Sequence, residues 1–408
     1  MDDPDVGALA AAVFAGSCPP QRVRALMGTA AGYDPAAWRR WARETGLPGL
    51  GVPEEQGGIG LPLTALADVF EAAGRTLVCA PLFSTVALAV PALLGSGDRA
   101  AAQRWLPPIA AGDLTATVAR PDPSAAEPPV TAVPRPGSAG PDSSAGPGRA
   151  TGPGSDTGPG GWRLTGRVER VVDGATAGLL LVVATTGAET GPDAETGPDA
   201  GGEPDAGNGA GAGGPRETGV FAVADDAPGL LRTPLMSLDL TRRQATIELD
   251  DVPATRVGGA GRWIDGALDV ARVLLAAELV GVAQQCLDTT VAYAKQRVQF
   301  GRPIGSFQAV KQRAAEMLIR VELARSAAHH AAEAVPAGDA WAAGLAKAYC
   351  AEAATAVAAD AIQLHGGIGF TWEHPAHLYY KRAITDDEIL GSAATHWAAV
   401  GDHLDRVF

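Results

Sequence analysis

The sequence predicts an α+β protein in three zones: an N-terminal all-α domain, a small central β domain interrupted by disordered insertions, and a C-terminal helical bundle. Two observations carry this reading. Apolar residues recur at three- and four-residue spacing before about residue 115 and after about 262, and in short alternating or continuous runs in between. Pro, Gly, Ser and Asp then concentrate in two stretches, 121–160 and 186–218, that hold too little apolar surface to offset the entropy of ordering. The expected domains are 1–116, 117–258 and 262–408.

The first zone reads as WRRWARETG, LTALADVFEAAGRTL, the apolar run LVCAPLFSTVALAVPALL at 77–94, and RAAAQRWLPPIAAG, for which Asp98 is a cap. The run at 77–94 could span a bilayer by length alone. Pro81, Pro91, Ser84 and Thr85 and the lack of a basic flank make it a buried helix or helix pair instead, with no membrane span. In the middle zone, GWRLTGRVERVV, GLLLVVATT, GVFAVADD and ATIELDDVPATRVG read as strands. Long helices follow. One covers IDGALDVARVLLAAELVGVAQQCLDTTVAYAKQR, the next starts near a Ser306 cap, and a third runs from an Asp339 cap to His365, where Gly366 suits the position after the helix.

The chain has 408 residues and a net charge of −14, with 32 Lys+Arg against 46 Asp+Glu. That balance excludes nucleic acid, whose binding requires clustered cations to displace counterions. Four cysteines, Cys18, Cys79, Cys286 and Cys350, lie far apart with no CxxC pair, which fits a reducing compartment. The acidic MDDPDVG start lacks a basic leader, so the expected location is the cytoplasm. The pair His374 and His377, with His365 nearby, lacks a plausible third ligand, and no metal is expected. The GGIG segments at 57–60 and 366–369 follow no βαβ pattern.

Two stretches are far more specific: AYAKQRVQFGRPIGSFQAVKQRAAEML at 292–318 and DAIQLHGGIGFTWEHPAHLYYKRA at 360–383. Both resemble the acyl-CoA dehydrogenase family, as does GLPGLGVPEEQGGIGLPLTALADVFEAAGRTL near the start. The resemblance implies an α domain, a β domain and a C-terminal four-helix bundle, with FAD as cofactor. It implies α,β-desaturation of an acyl-CoA thioester, in which a carboxylate takes the α-proton and the β-hydrogen leaves as hydride to the flavin. It also implies an electron-accepting flavoprotein as partner, and assembly as a homo-dimer or homo-tetramer, or as a hetero-oligomer with a homologous subunit.

Carried over residue by residue, Arg297, Phe300 and Gln308 match a cofactor-binding RxxF…Q set that reaches a neighbouring subunit's FAD. Gln363 and Gly367 match a second cofactor patch, where a missing side chain admits phosphate to the backbone. Arg272, near Asp269, is the substrate-side candidate, as an orienter of the active-site loop or as part of a structural ion pair. The flavin-ring half departs from the family: TATVARPDPS replaces its TEP…GSD-like loop, and its Trp and Thr fall on Arg170 and Val172.

The catalytic base is unknown. The family's two positions for it carry Leu390, before Gly391-Ser392, and Ala271, before Arg272, neither of which can accept a proton. Glu388 is the substitute candidate, on the expectation that an extended loop puts it on one face with Leu390. Glu278, two turns and about 10 Å along the helix from Ala271, is another, and Asp386 and Asp387 are also near Glu388. All four read more simply as solvated or salt-bridged surface acids, and Glu373 as a structural turn residue. Two functions therefore stand: an FAD-dependent acyl-CoA dehydrogenase with a relocated base, or a non-catalytic subunit paired with a base-bearing homologue.

Overall fold

The computed structural model describes residues 6–121, 130–135, 161–186, 217–259 and 263–407. Its helices open with α1 (Val6–Ser17), α2 (Pro20–Met27), α3 (Pro35–Thr45) and α4 (Leu63–Thr76). A π-helical stretch, Phe83–Ala89, then runs into α5 (Val90–Gly95), and α6 follows (Arg99–Ala110). The Asp34 carboxylate caps α3 by accepting from the Ala36 and Ala37 amides, and Gly46, at φ 66°, ends that helix. Asp98 caps α6 as expected, its carboxylate accepting from the Ala101 amide at 3.0 Å. The apolar run at 77–94 is buried against the rest of the chain, and among the described residues no helix is long and apolar enough to cross a membrane.

The strands are β1 (Ala116–Ala119), β2 (Thr131–Pro134), β3 (Trp162–Val172), β4 (Leu179–Thr186), β5 (Glu217–Ala224), β6 (Leu230–Pro234) and β7 (Gln244–Val257). Neighbour by neighbour, β4 pairs β5, β5 pairs β7, β7 pairs β3, β3 pairs β2, and β2 returns to β4, so five strands close on themselves. The β1 strand adds to β4 in parallel and β6 adds to β7. Two-residue alternation sorts the side chains. Leu180, Val182, Phe221 and Val223 fill the barrel with Val168, Ile247 and Val252. The intervening Leu179, Leu181, Val183, Val220 and Ala222 belong instead to the core shared with the helices. Closure lets so lean a domain build a core of its own.

The C-terminal part holds α7 (Trp263–Gln296), a hairpin of β8 (Val298–Gln299) and β9 (Arg302–Pro303), then α8 (Gln308–Ala334), α9 (Trp341–His365), α10 (Ala376–Glu388) and α11 (Ala393–Val407). Helices α7 to α10 form the four-helix bundle, with α11 laid along α9. Helix α7 is apolar nearly all round because it is also packed by α4 on its other side. That crossing is close: a Cβ on Gly74 would lie 2.0 Å from the Glu278 carbonyl oxygen, and one on Gly281 would lie 1.9 Å from that of Glu71.

Three local expectations need correction. The stretch 121–160 is not structureless throughout, because VTAVP supplies β2, held between β3 and β4 with Val130 and Ala132 in the barrel core. Residues 122–129, 136–160 and 187–216, which hold the rest of both stretches, lie outside the described residues. Ser306 does not cap α8; its hydroxyl donates to the Pro303 carbonyl, and Phe307 holds the cap position. Asp339 does not cap α9, which begins after Ala340. Gly366 ends α9 at φ 66°, as its lack of a side chain allows. All four cysteines are free and buried, and burial pushes each thiol upward, Cys18 to about 11 and Cys79 and Cys350 to about 12.

Candidate functional site

Arg297 leaves the end of α7, and the hairpin that follows puts Phe300 at its turn with φ 52° and 91% exposure. Gln308 opens α8, and Gln363 and Gly367 bracket the end of α9; all are exposed. Tyr293, one turn before Arg297, ties the two patches: its hydroxyl donates to the His365 carbonyl at 3.4 Å, and its ring lies 4.6 Å from the His365 ring. A Cβ at Gly366 or Gly367 would meet nothing within 4 Å, so open space lies above this backbone. Guanidinium, amide and bare backbone around a cleared surface form a donor set that fits a pyrophosphate. The same end of the bundle exposes Phe370 (74%) and Trp372 (60%).

The histidines nearby are engaged locally. His365 shares a 2.7 Å bond with the Ala361 carbonyl through Nδ1, and His374 accepts from the Ala376 amide through Nδ1. Among the described residues, no group of three or more His, Cys, Asp or Glu side chains is placed to hold a metal ion.

The flavin-ring side is built differently. Thr117, in the segment aligned with the ring-binding loop, is fully buried, and its hydroxyl donates to the Val172 carbonyl at 2.7 Å. Val172 is itself buried. Arg170 sits exposed at φ 57°, at an irregularity in the β3–β7 register between Val168 and Val171. The residues present on this side do not fit an isoalloxazine ring: the hydroxyl is spent inside the protein, and hydrocarbon stands where a polar contact is needed.

The two base positions are linked through Arg272. Ala271 is fully buried on α7, and its neighbour Arg272 extends to the Leu390 carbonyl, 3.4 Å from Nε, while pairing with Asp269 at 2.5 Å. Leu390 has φ 61° and Gly391 φ 100°, a left-handed turn just after α10. Two more side chains pin it. His396 Nε2 lies 3.0 Å from the Leu390 carbonyl, and Lys347, fully buried, donates to the Asp387 and Gly391 carbonyls at 3.0 and 3.4 Å. Burial holds the Lys347 ammonium down at about 8 despite Asp387, and burial with Arg272 nearby holds His396 at about 4. His396 is therefore neutral at pH 7, with its Nε2–H donating to Leu390. Neither Lys347 nor His396 was singled out from sequence, because both act on backbone carbonyls and leave no side-chain motif.

The candidate acids divide. Glu388 is exposed, but it ends helix α10 and does not lie on an extended loop with Leu390. Glu278 and Asp386 are buried, which corrects their reading as surface acids. The Glu278 carboxylate accepts from Arg242 and Arg382, each at 2.5 Å. Arg382 also donates to Asp239 at 2.7 Å and to the Thr241 hydroxyl at 2.6 Å. Arg242 lies over the Phe83 ring at 4.8 Å and approaches Asp386 at 2.8 Å. Burial alone would raise Glu278, but the two guanidinium groups outweigh it and hold the carboxyl below its ordinary range. Asp387 is half-buried and accepts from the Ala393 amide at 2.8 Å.

Comparison with known proteins gives the class. Residues 9–113 match the acyl-CoA dehydrogenase N-terminal domain, and residues 259–404 match the acyl-CoA dehydrogenase C-terminal domain. The acyl-CoA dehydrogenase IpdE2 of Mycolicibacterium smegmatis is 32% identical over 91% of this chain and 89% of its own length. Among solved structures, a variant of the Tcur3481–Tcur3483 steroid ACAD superposes with a TM-score of 0.78 at 31% identity, over 98% of this chain and 97% of that one. The ChsE4–ChsE5 complex of Mycobacterium tuberculosis superposes with a TM-score of 0.79 at 28% identity, over 98% and 96%. The chain belongs to the acyl-CoA dehydrogenase family, whose members are FAD-dependent flavoproteins.

Proposed function

We propose that this chain is the non-catalytic subunit of a hetero-oligomeric acyl-CoA dehydrogenase, paired with a homologue that carries the base. One observation carries the reading: the contact of Arg272 with Leu390 brings both family base positions to one small site, and both are hydrocarbon. The acids nearby are otherwise committed, Glu278 and Asp386 to a buried charge cluster and Glu388 to solvent. Proton abstraction then belongs to the partner. Arg297, Gln308, Gln363 and Gly367 would hold the adenosine-diphosphate end of the partner's FAD, with Phe300 against it, and FAD there supplies the hydride-accepting chemistry. The exposed Phe300, Phe370 and Trp372 are the apolar surface such a partner would cover.

The turn kept by Arg272, Lys347 and His396 gives Leu390 a fixed backbone, a platform able to polarise a thioester carbonyl without removing a proton. The similar structures named as a steroid ACAD and as a ChsE4–ChsE5 complex support the paired assembly, and they make a steroid-derived acyl-CoA the first substrate to try. An electron-accepting flavoprotein would reoxidise the assembly.

The test is the visible spectrum of the chain purified alone and after co-expression with a base-bearing homologue. Colourless protein alone, and flavin in the complex that is lost with Arg297→Ala, is the expected result. Flavin bound by the chain alone and reduced by a thioester would establish the other reading, a dehydrogenase with a relocated base, with Glu388→Gln the next variant.

A further inference from the structure

The junction of the three domains holds an imbalance of charge. Four carboxyl groups, Asp173, Asp239, Glu278 and Asp386, converge with two buried guanidinium groups, Arg242 and Arg382. They come from the β domain and the bundle: Asp173 from the turn after β3, Asp239 and Arg242 from the β6–β7 connection, Glu278 from α7, and Arg382 and Asp386 from α10. Ser84, in the π-helical stretch, donates to Asp173 at 2.6 Å.

Arg243 stands at the rim, and its guanidinium donates to the Met27 and Thr29 carbonyls. Counting it, four acids still face three cations. Lys347, the next cation outward, is matched by Asp387 at 4.0 Å. Cys79 and Tyr33 face the cluster from connections of the N-terminal domain and are neutral at ordinary pH, their acidities weakened by burial.

Asp386 differs from its neighbours. Asp239 accepts from Thr241 and Arg382, and Glu278 from two arginines. Asp386 is fully buried, yet neither of its oxygens has an aligned donor among the described residues; its 2.8 Å approach to Arg242 Nε is a charge contact off the hydrogen-bond direction. A buried carboxylate without donors, beside a second carboxylate, is strongly disfavoured as an anion. A cavity of about 20 Å³, lined by Asp173, Thr241, Arg242, Glu278 and Arg382 but not by Asp386, adjoins the cluster, with room for about one water.

We propose that Asp386 is a neutral, protonated carboxylic acid in the folded chain, and that this proton is what balances the charge lock joining the β barrel to the bundle. Loss of the proton leaves the lock with one negative charge too many, buried against the carboxylates of Glu278 and Asp239. The acidities agree with this geometry. Burial, against the pull of Arg242 and with the push of Glu278, raises Asp386 to about 7, and burial, partly offset by Ser84, raises Asp173 to about 6. The sign follows. The unfolded Asp386 ionises near its ordinary value of about 3.9, so the folded state holds an extra proton from there up to about 7, and its contribution to stability falls across that window.

The test compares Asp386→Asn, which mimics the protonated acid, with the parent chain. Its melting temperature relative to the parent is expected to be several degrees higher at about pH 8 than at about pH 5, because only the parent has an acid to ionise. A difference that does not change with pH would overturn the proposal. The infrared band of a protonated carboxyl is a second readout, recorded in an Asp173→Asn background so that Asp173 cannot supply it. Its presence at about pH 5.5 and loss by about pH 8.5 supports the proposal, and its absence at about pH 5.5 overturns it, whether or not Asp386→Asn folds.

Discussion

Gly74 and Gly281 face opposite helices at the crossing of α4 with α7, each pressed against a backbone carbonyl oxygen of the other helix. A methyl group at either position meets backbone, which cannot rotate aside, so the helices must separate. Gly281→Ala and Gly74→Ala are each expected to cost about 3 kcal/mol, at the upper end for an overpacked core. Urea denaturation with an unchanged m-value would measure it. Full stability in either variant would mean that the crossing is looser than this geometry.

The Glu278 pairs lead to a second expectation. Glu278→Gln keeps the shape but leaves Arg242 and Arg382 facing one another without their shared anion. Breaking a buried pair from one side costs about 3–5 kcal/mol, and denaturation of the variant is expected to show a loss of that order. Retained dehydrogenase activity in the assembled complex, in proportion to folded protein, would confirm that Glu278 is no proton acceptor.

The Leu390 turn titrates. Burial and Arg272 hold the folded His396 at about 4, below the unfolded value of about 6.5. The unfolded chain therefore takes up a proton first as pH drops, and the His396 contribution is lost between about 6.5 and 4. His396→Gln, which keeps a donor for the Leu390 carbonyl without a titrating ring, is expected to flatten that part of the acid limb of melting temperature against pH. An unchanged acid limb would place the titration elsewhere.

Thr186 and Glu217 are registered partners at the open end of the β4–β5 ladder. The segment between them, 187–216, leaves and returns at adjacent points, and loop closure depends only weakly on length. Replacing it with Asn-Gly, the favoured two-residue hairpin turn, is expected to move the melting temperature by no more than a few degrees. A large loss would show that the segment packs against the barrel.

Much of the fold is legible locally. Asp98 and Gly366 announce their helix ends because a cap is a contact within one turn. Ser306 and Asp339 mislead because the same residue types also bond within a turn, as Ser306 does with Pro303. The β2 strand hides in a Pro- and Ser-rich stretch because its order comes from β3 and β4, distant in sequence. Arg297, Gln308 and Gln363 stand out as side chains in dense motifs, and the structure leaves them exposed together at one end of the bundle. Glu278 carried a signal that goes unused in a surface reading: it and Arg272 are the only charged residues between 270 and 287, and a lone acid on a helix apolar all round has to find a buried cation. Which arginines answer it depends on the tertiary fold.

The burial of all four thiols has a practical side. Thiol-directed dyes react with the thiolate, and none of the native sulfurs offers one at the surface. The unmodified chain is therefore a blank background for site-specific labelling. A cysteine placed at the exposed Phe300 position would carry a single fluorophore beside the candidate FAD surface, and its emission would report, in solution and in real time, the arrival of whatever subunit covers that face.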